Sequence, residues 1–323
     1  MTRLSIILSC FDSARFLEES INSIINSNFA GWELIIVNDG STDNTLEIAN
    51  KYTEKDTRIK VVSKNNGGYV SARLYGLKFI SDKSEYLHFM DSDDILDPNF
   101  YTKIIECFRN NPKIGAAYCN HKLINHVGEL IGEPAYGKRI RSTRFWYQRI
   151  PEDCVYTSFL DIFCWTKMIE PMVVIKKDAY SQSSGWDFRF GRGKGNIGDG
   201  ILLFGEIALK NKIYFLNETL YFYRKHENQS TSDENLNQEA VIKVQKLWLE
   251  KCDKGIISKN DYHKVLLFFQ TRLQISKIID AMRHNLRYNP RMAVHSIIKI
   301  VSLYLKSYPI IISSRKDIEI LNS

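Results

Sequence analysis

The run Tyr86-Leu-His-Phe-Met-Asp91-Ser-Asp93-Asp94 constrains the fold more than any other stretch of the chain. A short apolar segment stops on three carboxylates within four residues. A buried strand that delivers Asp91 and Asp93 to its C-terminal end makes a compact site of hard oxygen donors. Such a donor set suits Mg²⁺ or Mn²⁺, which take one or two carboxylates and leave positions for phosphate oxygens. In open α/β sheets, ligands bind beyond the carboxyl ends of the strands. These aspartates are therefore expected to face a phosphate-bearing substrate. Helix capping does not require them, because Asp97-Pro98 already supplies a cap and first turn for the next helix. A calcium loop is excluded, since the central Gly and the closing Glu are absent.

The surrounding pattern agrees with an α/β chain. Apolar strands are expected at residues 4–9, 32–37, 58–63, 85–90 and 114–120. Helical periodicity falls between them, at about 14–26, 42–52, 69–80 and 98–110. Short strands separated by helices of this length predict a mixed, mainly parallel sheet flanked by helices. The middle of the chain is less regular. A hairpin turn is expected at Val127-Gly-Glu and a strand at 172–175, and six glycines fall between residues 185 and 200. A helix over 199–210 and two strands, 213–216 and 220–224, follow. From about residue 236 the pattern is helical, so a boundary is expected near 230. Residues 1–120 and 121–230 would form two halves of one domain, and 231–323 a helical C-terminal region.

The 323 residues are 44% hydrophobic and 25% charged, an ordinary globular composition, with a net charge of +7. The six cysteines, Cys10, Cys107, Cys119, Cys154, Cys164 and Cys252, show no Cys-x-x-Cys spacing. They read as buried thiols in a reducing compartment. No leader pattern precedes the first strand, and no apolar run is long enough to span a bilayer. A cytoplasmic location is expected, and the sequons at Asn217 and Asn228 then carry no glycan. In 294–308, Val294, Ile297, Ile298, Val301, Leu305 and Tyr308 recur at helical spacing beside a basic stripe. That helix either lies on an anionic membrane surface or packs on the main domain. No motif supports nucleic-acid binding.

Four segments in order carry a resemblance: Val37-Asn-Asp-Gly-Ser-Thr-Asp-Asn-Thr45, Gly67-Gly-x-x-x-Ala-Arg73, Phe89-Met-Asp-Ser-Asp-Asp94 and Tyr223-Arg-x-His226-Glu-Asn. Over about 230 residues the chain resembles the family 2 glycosyltransferases of the GT-A (Rossmann-like) fold. The resemblance implies transfer of a sugar from a nucleotide donor, most readily a UDP-sugar, to a hydroxyl of a growing surface glycan or lipid-linked oligosaccharide. It implies that Phe11 stacks on the base, Asp39 accepts from the uracil N–H and Arg73 pairs with base or diphosphate. Asp91 and Ser92 would lie at the ribose, and Asp93 would bind Mn²⁺ or Mg²⁺ with Asp91 and His226 beside it. In the family's inverting mechanism the base belongs to a Glu-Asp pair opening a helix. Here that position reads Gly198-Asp199, so Asp199 is the candidate without its Glu. Asp187 in Gly185-Trp186-Asp187 is the alternative, with Trp186 placed either to stack on a sugar ring or to anchor the core.

Two departures are the Ser9-Cys10-Phe11-Asp12 segment, where the family has Pro-x-Tyr-Asn, and Leu74, where it has Asn after Ala-Arg. Two rival readings are a haloacid-dehalogenase-type phosphatase and a non-catalytic nucleotide- or sugar-binding protein. The first needs its nucleophile strand early in the chain and Thr or Val where Ile95 stands. The missing Glu before Asp199 is the support for the second.

Overall fold

The computed structural model describes residues 4–132, 156–157, 170–190, 199–227 and 236–263. The basic segment 294–308 and the residue 228–235 boundary region lie outside them.

Four parallel strands form the first half of the sheet: β1 (Leu4–Cys10), β2 (Trp32–Asn38), β3 (Ile59–Ser63) and β4 (Tyr86–Asp91), in the spatial order β3-β2-β1-β4. Leu4, Ile6, Ile7, Leu8 and Leu34 to Val37 are all buried. This is the near-continuous apolar run expected of strands covered on both faces. The register aligns the strand ends. Cys10 pairs with Asn38, Asn38 with Ser63, and Ser9 with Asp91. The loops leaving these strands therefore share one rim. The chain winds outward from β1 to β3 and returns on the other side at β4. That places the topological switch point, where such sheets bind ligands, between the ends of β1 and β4.

Beyond β4 the sheet is mixed. β9 (Val174–Lys176) runs antiparallel between β4 and β6 (Ile114–Ile124), and β6 pairs in parallel with β10 (Lys212–Arg224). β5 (Ile95–Leu96) pairs antiparallel with β10 at the far edge. β7 (Leu130–Gly132) folds back on β6 through the Val127-Gly-Glu turn, and β8 (Tyr156–Thr157) pairs with β10. The two strands expected at 213–216 and 220–224 are one bent strand. Register shifts around Leu216, Thr219 and Tyr221 absorb the bend, so Asn217-Glu218 does not act as a turn.

Helices α1 (Leu17–Ile25), α2 (Thr45–Thr53), α3 (Tyr69–Gly76) and α4 (Phe100–Asn110) follow the first strands. In α1 the apolar stripe Leu17, Ile21, Ile24 is buried at helical spacing. Gly76 lets α3 approach the sheet, because a Cβ there would lie 2.6 Å from Ile7 and 2.9 Å from Val37. Short α5 (Lys177–Ser181) and α6 (Asp199–Lys210) complete the first body. α7 (Leu236–Asp253) packs on it through Val244, Leu247 and Trp248. Glu206 of α6 and Lys251 of α7 form a buried ion pair at that contact. No helix among the described residues is long and apolar enough to cross a membrane. The described cysteines, Cys10, Cys107, Cys119 and Cys252, are free thiols, the first three buried.

Candidate active site

The acidic loop after β4 is built so that two of its carboxylates face outward and one faces in. Asp94 is fully buried. Its oxygens accept from the Tyr221 hydroxyl at 2.6 Å and the Arg224 amide at 2.9 Å. Burial, then the charges of Asp93 and Asp91, push its pKa well up. Arg224 is equally buried and braces the loop from behind. Its Nε donates to the Asp93 carbonyl at 2.8 Å, Nη1 to the Asn125 carbonyl at 3.1 Å, and Nη2 to Glu19 at 2.6 Å. From α1, the Ser20 hydroxyl lies 2.9 Å from the Ser92 carbonyl and 2.6 Å from that of Asp94. The Ser92 hydroxyl donates to Ser13.

With the backbone held this way, the Asp91 and Asp93 side chains remain 37% and 22% exposed. The carboxylate oxygens of Asp91, Asp93 and Asp94 lie within 4.8 Å of one another. Asp94 is committed to Tyr221 and Arg224, which leaves Asp91 and Asp93 as the open oxygen donors. His226 joins them from the end of β10, its Nε2 2.9 Å from Asp93 and its ring against Phe16. Two accessible carboxylates and an imidazole fit a small divalent cation.

Across the switch point, Phe11 projects from the end of β1 and is 49% exposed. An open aromatic face beside the rim is what base stacking requires. Asp39, at the end of β2, is buried and already well supplied with donors. Its oxygens accept from the Gly67 amide at 3.1 Å, the Gly68 amide at 2.7 Å and Lys64 Nζ at 2.6 Å. Asp39 therefore fixes the loop between β3 and α3, and Lys64 is a second charged group at the place expected for the base.

Arg73 connects this rim to a second cluster of acids. One turn after Tyr69 on α3, it is 2% exposed, and its guanidinium lies over the Tyr69 and Trp186 rings at 4.8 and 4.6 Å. Nη2 donates to Asp91 at 3.1 Å. Nη1 donates to Glu170 at 3.1 Å and lies 3.7 Å from Asp199 Oδ2. Burial alone would lower the Arg73 pKa, but the carboxylates outweigh it and hold the pKa above its ordinary value. Asp199, the first residue of α6, is fully buried. Its Oδ1 accepts from the Tyr69 hydroxyl at 2.6 Å, while Oδ2 makes no hydrogen bond among the described residues. Burial first, then the charge of Glu170, raise its pKa well above the usual carboxylate range, against the opposing pull of Arg73 and Tyr69. Asp91 is raised to about 6, because desolvation of its inner side, joined by the charges of Asp93 and Glu170, outweighs the lowering by Arg73.

The Gly185-Trp186-Asp187 loop supports this cluster from one side. Trp186 is 4% exposed, edge-on to Phe89 and against Arg73, so it is placed as a core anchor and not as an open platform for a sugar. Asp187 forms a two-point pair with Arg189, at 2.8 Å to Nε and 2.6 Å to Nη2. Burial works against ionisation there, but the Arg189 hydrogen bonds win and hold its pKa below the usual range. Asp91, Arg73 and Asp199 are thus brought together, and Asp187 is not among them. Glu170, Tyr69 and Lys64 are site residues that the sequence motifs do not single out. Tyr69 stands one helical turn before Arg73, which is a legible signal. Glu170 has none, because it reaches the site from a distant turn.

Residues 5–159 match the family described as Glycosyl transferase family 2. It is 33% identical over 128 residues to chondroitin synthase of Pasteurella multocida, an alignment covering 40% of this chain and 13% of that protein. Among solved structures, S. aureus TarS 1-349 in complex with UDP-GlcNAc superposes with a TM-score of 0.60 at 19% identity, over 94% of this chain and 82% of that one. A mannosyltransferase from Pyrobaculum calidifontis, in complex with GDP-Man and Mn²⁺, superposes with a TM-score of 0.57 at 12% identity, over 94% and 80%. The fold is GT-A. This match leaves the phosphatase reading without support.

Proposed function

We propose that the chain is an inverting, metal-dependent glycosyltransferase. It would move a sugar from a nucleotide donor, a UDP-sugar first among them, to a hydroxyl of a surface glycan or lipid-linked oligosaccharide. The observation that carries this reading is the single guanidinium, Arg73, that joins the metal-type carboxylate Asp91 to the buried Asp199. A donor held at the first would present its anomeric carbon to an acceptor held at the second. TarS in complex with UDP-GlcNAc, on the same fold, supports a nucleotide-sugar donor. The mannosyltransferase in complex with Mn²⁺ supports a divalent cation.

In this reading Phe11 stacks on the nucleobase, and Asp39 with Lys64 offers an acceptor and a donor to its edge. Asp91 and Ser92 hold the ribose side. Asp93, flanked by Asp91 and His226, would hold Mg²⁺ or Mn²⁺, which when bound neutralises charge on the departing diphosphate. Arg73 fixes the Asp91 carboxylate, and Trp186 fixes Arg73. Asp199 Oδ2 takes the proton of the acceptor hydroxyl. The freed oxygen pair forms the new bond at the anomeric carbon, and the old C–O pair leaves with the diphosphate. A base is most useful when its pKa lies near the working pH, and a raised carboxylate meets that condition. Asp187, held as an ion pair by Arg189, is the less suited of the two carboxylates. The location proposed is cytoplasmic, at the membrane face where lipid-linked acceptors would lie.

The test is UDP release from a panel of UDP-sugars with Mn²⁺, with and without glycan acceptors. Asp199→Asn is expected to lower turnover by about 10²- to 10⁴-fold while UDP still binds. Full turnover in that variant would remove Asp199 from the mechanism.

A further inference from the structure

Glu170 belongs to a short 3₁₀ turn, Glu170–Met172, just before β9. Its two carboxylate oxygens serve different elements. Oε2 accepts from Arg73 Nη1 at 3.1 Å, and Oε1 accepts from the Gly200 amide at 3.0 Å, in the first turn of α6. Only glycine permits this approach, since a Cβ at position 200 would collide with the Glu170 carboxylate. The turn is pinned from below. His88 Nε2 lies 2.7 Å from the Pro171 carbonyl, and its Nδ1 lies 2.9 Å from the Tyr101 hydroxyl. Burial lowers the His88 pKa to about 4, so this anchor keeps one charge state across any neutral assay.

We propose that Glu170 is a positioning residue for Asp199, bridging the Arg73 guanidinium and the start of α6 so that it sets both the place of the base and the charge beside it. The proposal rests on the reading of Asp199 as the base. Its hydrogen bonds to a helix N-terminal amide and to an arginine N–H hold the Glu170 carboxylate in one place. An anion so close to a second, fully buried carboxylate favours the protonated form of that second group. The groups facing Asp199 are Tyr69 and Arg73 from α3 and Glu170 from the turn, with Lys243 of α7 acting at longer range. Of these, Glu170 adds a negative charge that a single substitution removes without changing shape.

The experiment is a ¹³C NMR pH titration of the full chain labelled at the aspartate carboxyl carbons, with Asp199→Asn identifying the Asp199 resonance. Glu170→Gln is expected to lower the Asp199 midpoint by about one pH unit or more. Glu170→Asp, which keeps the charge, is expected to leave it raised. An unchanged midpoint in a Glu170→Gln protein of unaltered melting temperature would overturn the proposal. Should that variant fail to fold, Gly200→Ala displaces the same carboxylate and must lower the midpoint; no change there overturns the proposal equally. Hydrolysis of UDP-GlcNAc by Asp199→Asn is read separately. If it persists undiminished, the base reading falls, whatever the titration shows.

Discussion

Asp93 and Asp199 stand on either side of Arg73, and their surroundings differ in nearly everything that governs a carboxylate. Asp93 is 22% exposed, has His226 for a neighbour and belongs to a loop whose backbone Arg224 and Ser20 fix from behind. Asp199 is fully buried, receives the Tyr69 hydroxyl on one oxygen and shares a guanidinium with two other acids. A group that must bind a hydrated cation keeps water and open lone pairs. A group that must take a proton gains from losing them, because desolvation raises its pKa. With the proposed roles, one rim of the sheet would serve both tasks by burying one acid and exposing the other.

The largest effect should come from breaking the link between the two. Arg73→Met leaves Glu170 and Asp199 without their shared cation. Removing one partner of a buried ion pair costs about 3–5 kcal/mol, so urea denaturation should show a loss of that size. A loss under about 1 kcal/mol, the range of an exposed pair, would mean that the cluster is solvated and the contrast is false.

Next is Asp93→Ala. The side chain is partly exposed and the loop is held by backbone contacts, so stability should change by only about 0.5 kcal/mol. Turnover should fall by about a hundredfold or more, the scale of losing an electrostatic stabiliser of the leaving group. A large fall in stability would place Asp93 with Asp94 in the framework.

The third effect is a slope in stability with pH. The folded pKa of Asp199 is raised above the ordinary carboxylate value of about 4. Between the two values the native chain holds a proton that the unfolded chain has released. Stability from this group is therefore present at low pH and is lost as pH rises through the folded pKa. Asp199→Asn removes that loss. Its melting temperature relative to wild type should rise from pH 5 to pH 9, with each unit of pKa shift worth about 1.4 kcal/mol. A parallel pair of stability curves would show that Asp199 titrates normally.

Phe11→Ala should be the smallest change. An exposed ring contributes little to folding, while loss of a stacked base costs about 1–3 kcal/mol of UDP affinity. Equal UDP affinity in calorimetry would free Phe11 from the donor site.

The same contrast explains how much of the site is legible in sequence. The ends of β1, β2 and β4 are legible because apolar runs fix the strands, and the parallel register then aligns the loops that leave them. Asp39, Asp91 and Asp93 come to one rim for that reason. Asp199 is legible as the start of an apolar helix. Its partner Glu170 is not, since nothing in a Glu-Pro-Met segment indicates a contact with an amide across the site. Trp186 suits a sugar platform or a core anchor equally in sequence, and the position of Arg73 decides between them. Asp187 is likewise undecidable without the Arg189 pair that occupies it. The bend in β10 makes one strand look like two, because Asn217-Glu218 reads as a turn unless the β6 pairing is known.

In the proposed nucleotide site the cation would be held by Asp93. The measurement that bears on it most directly is the thermal shift given by UDP with Mn²⁺ or with EDTA, in the wild-type chain and in Asp93→Ala. A ligand that binds the native state alone raises the melting temperature. A shift with UDP and Mn²⁺ is expected, one that disappears with EDTA and in Asp93→Ala. No shift with UDP in the presence of Mn²⁺, or the same shift in both proteins, would contradict it.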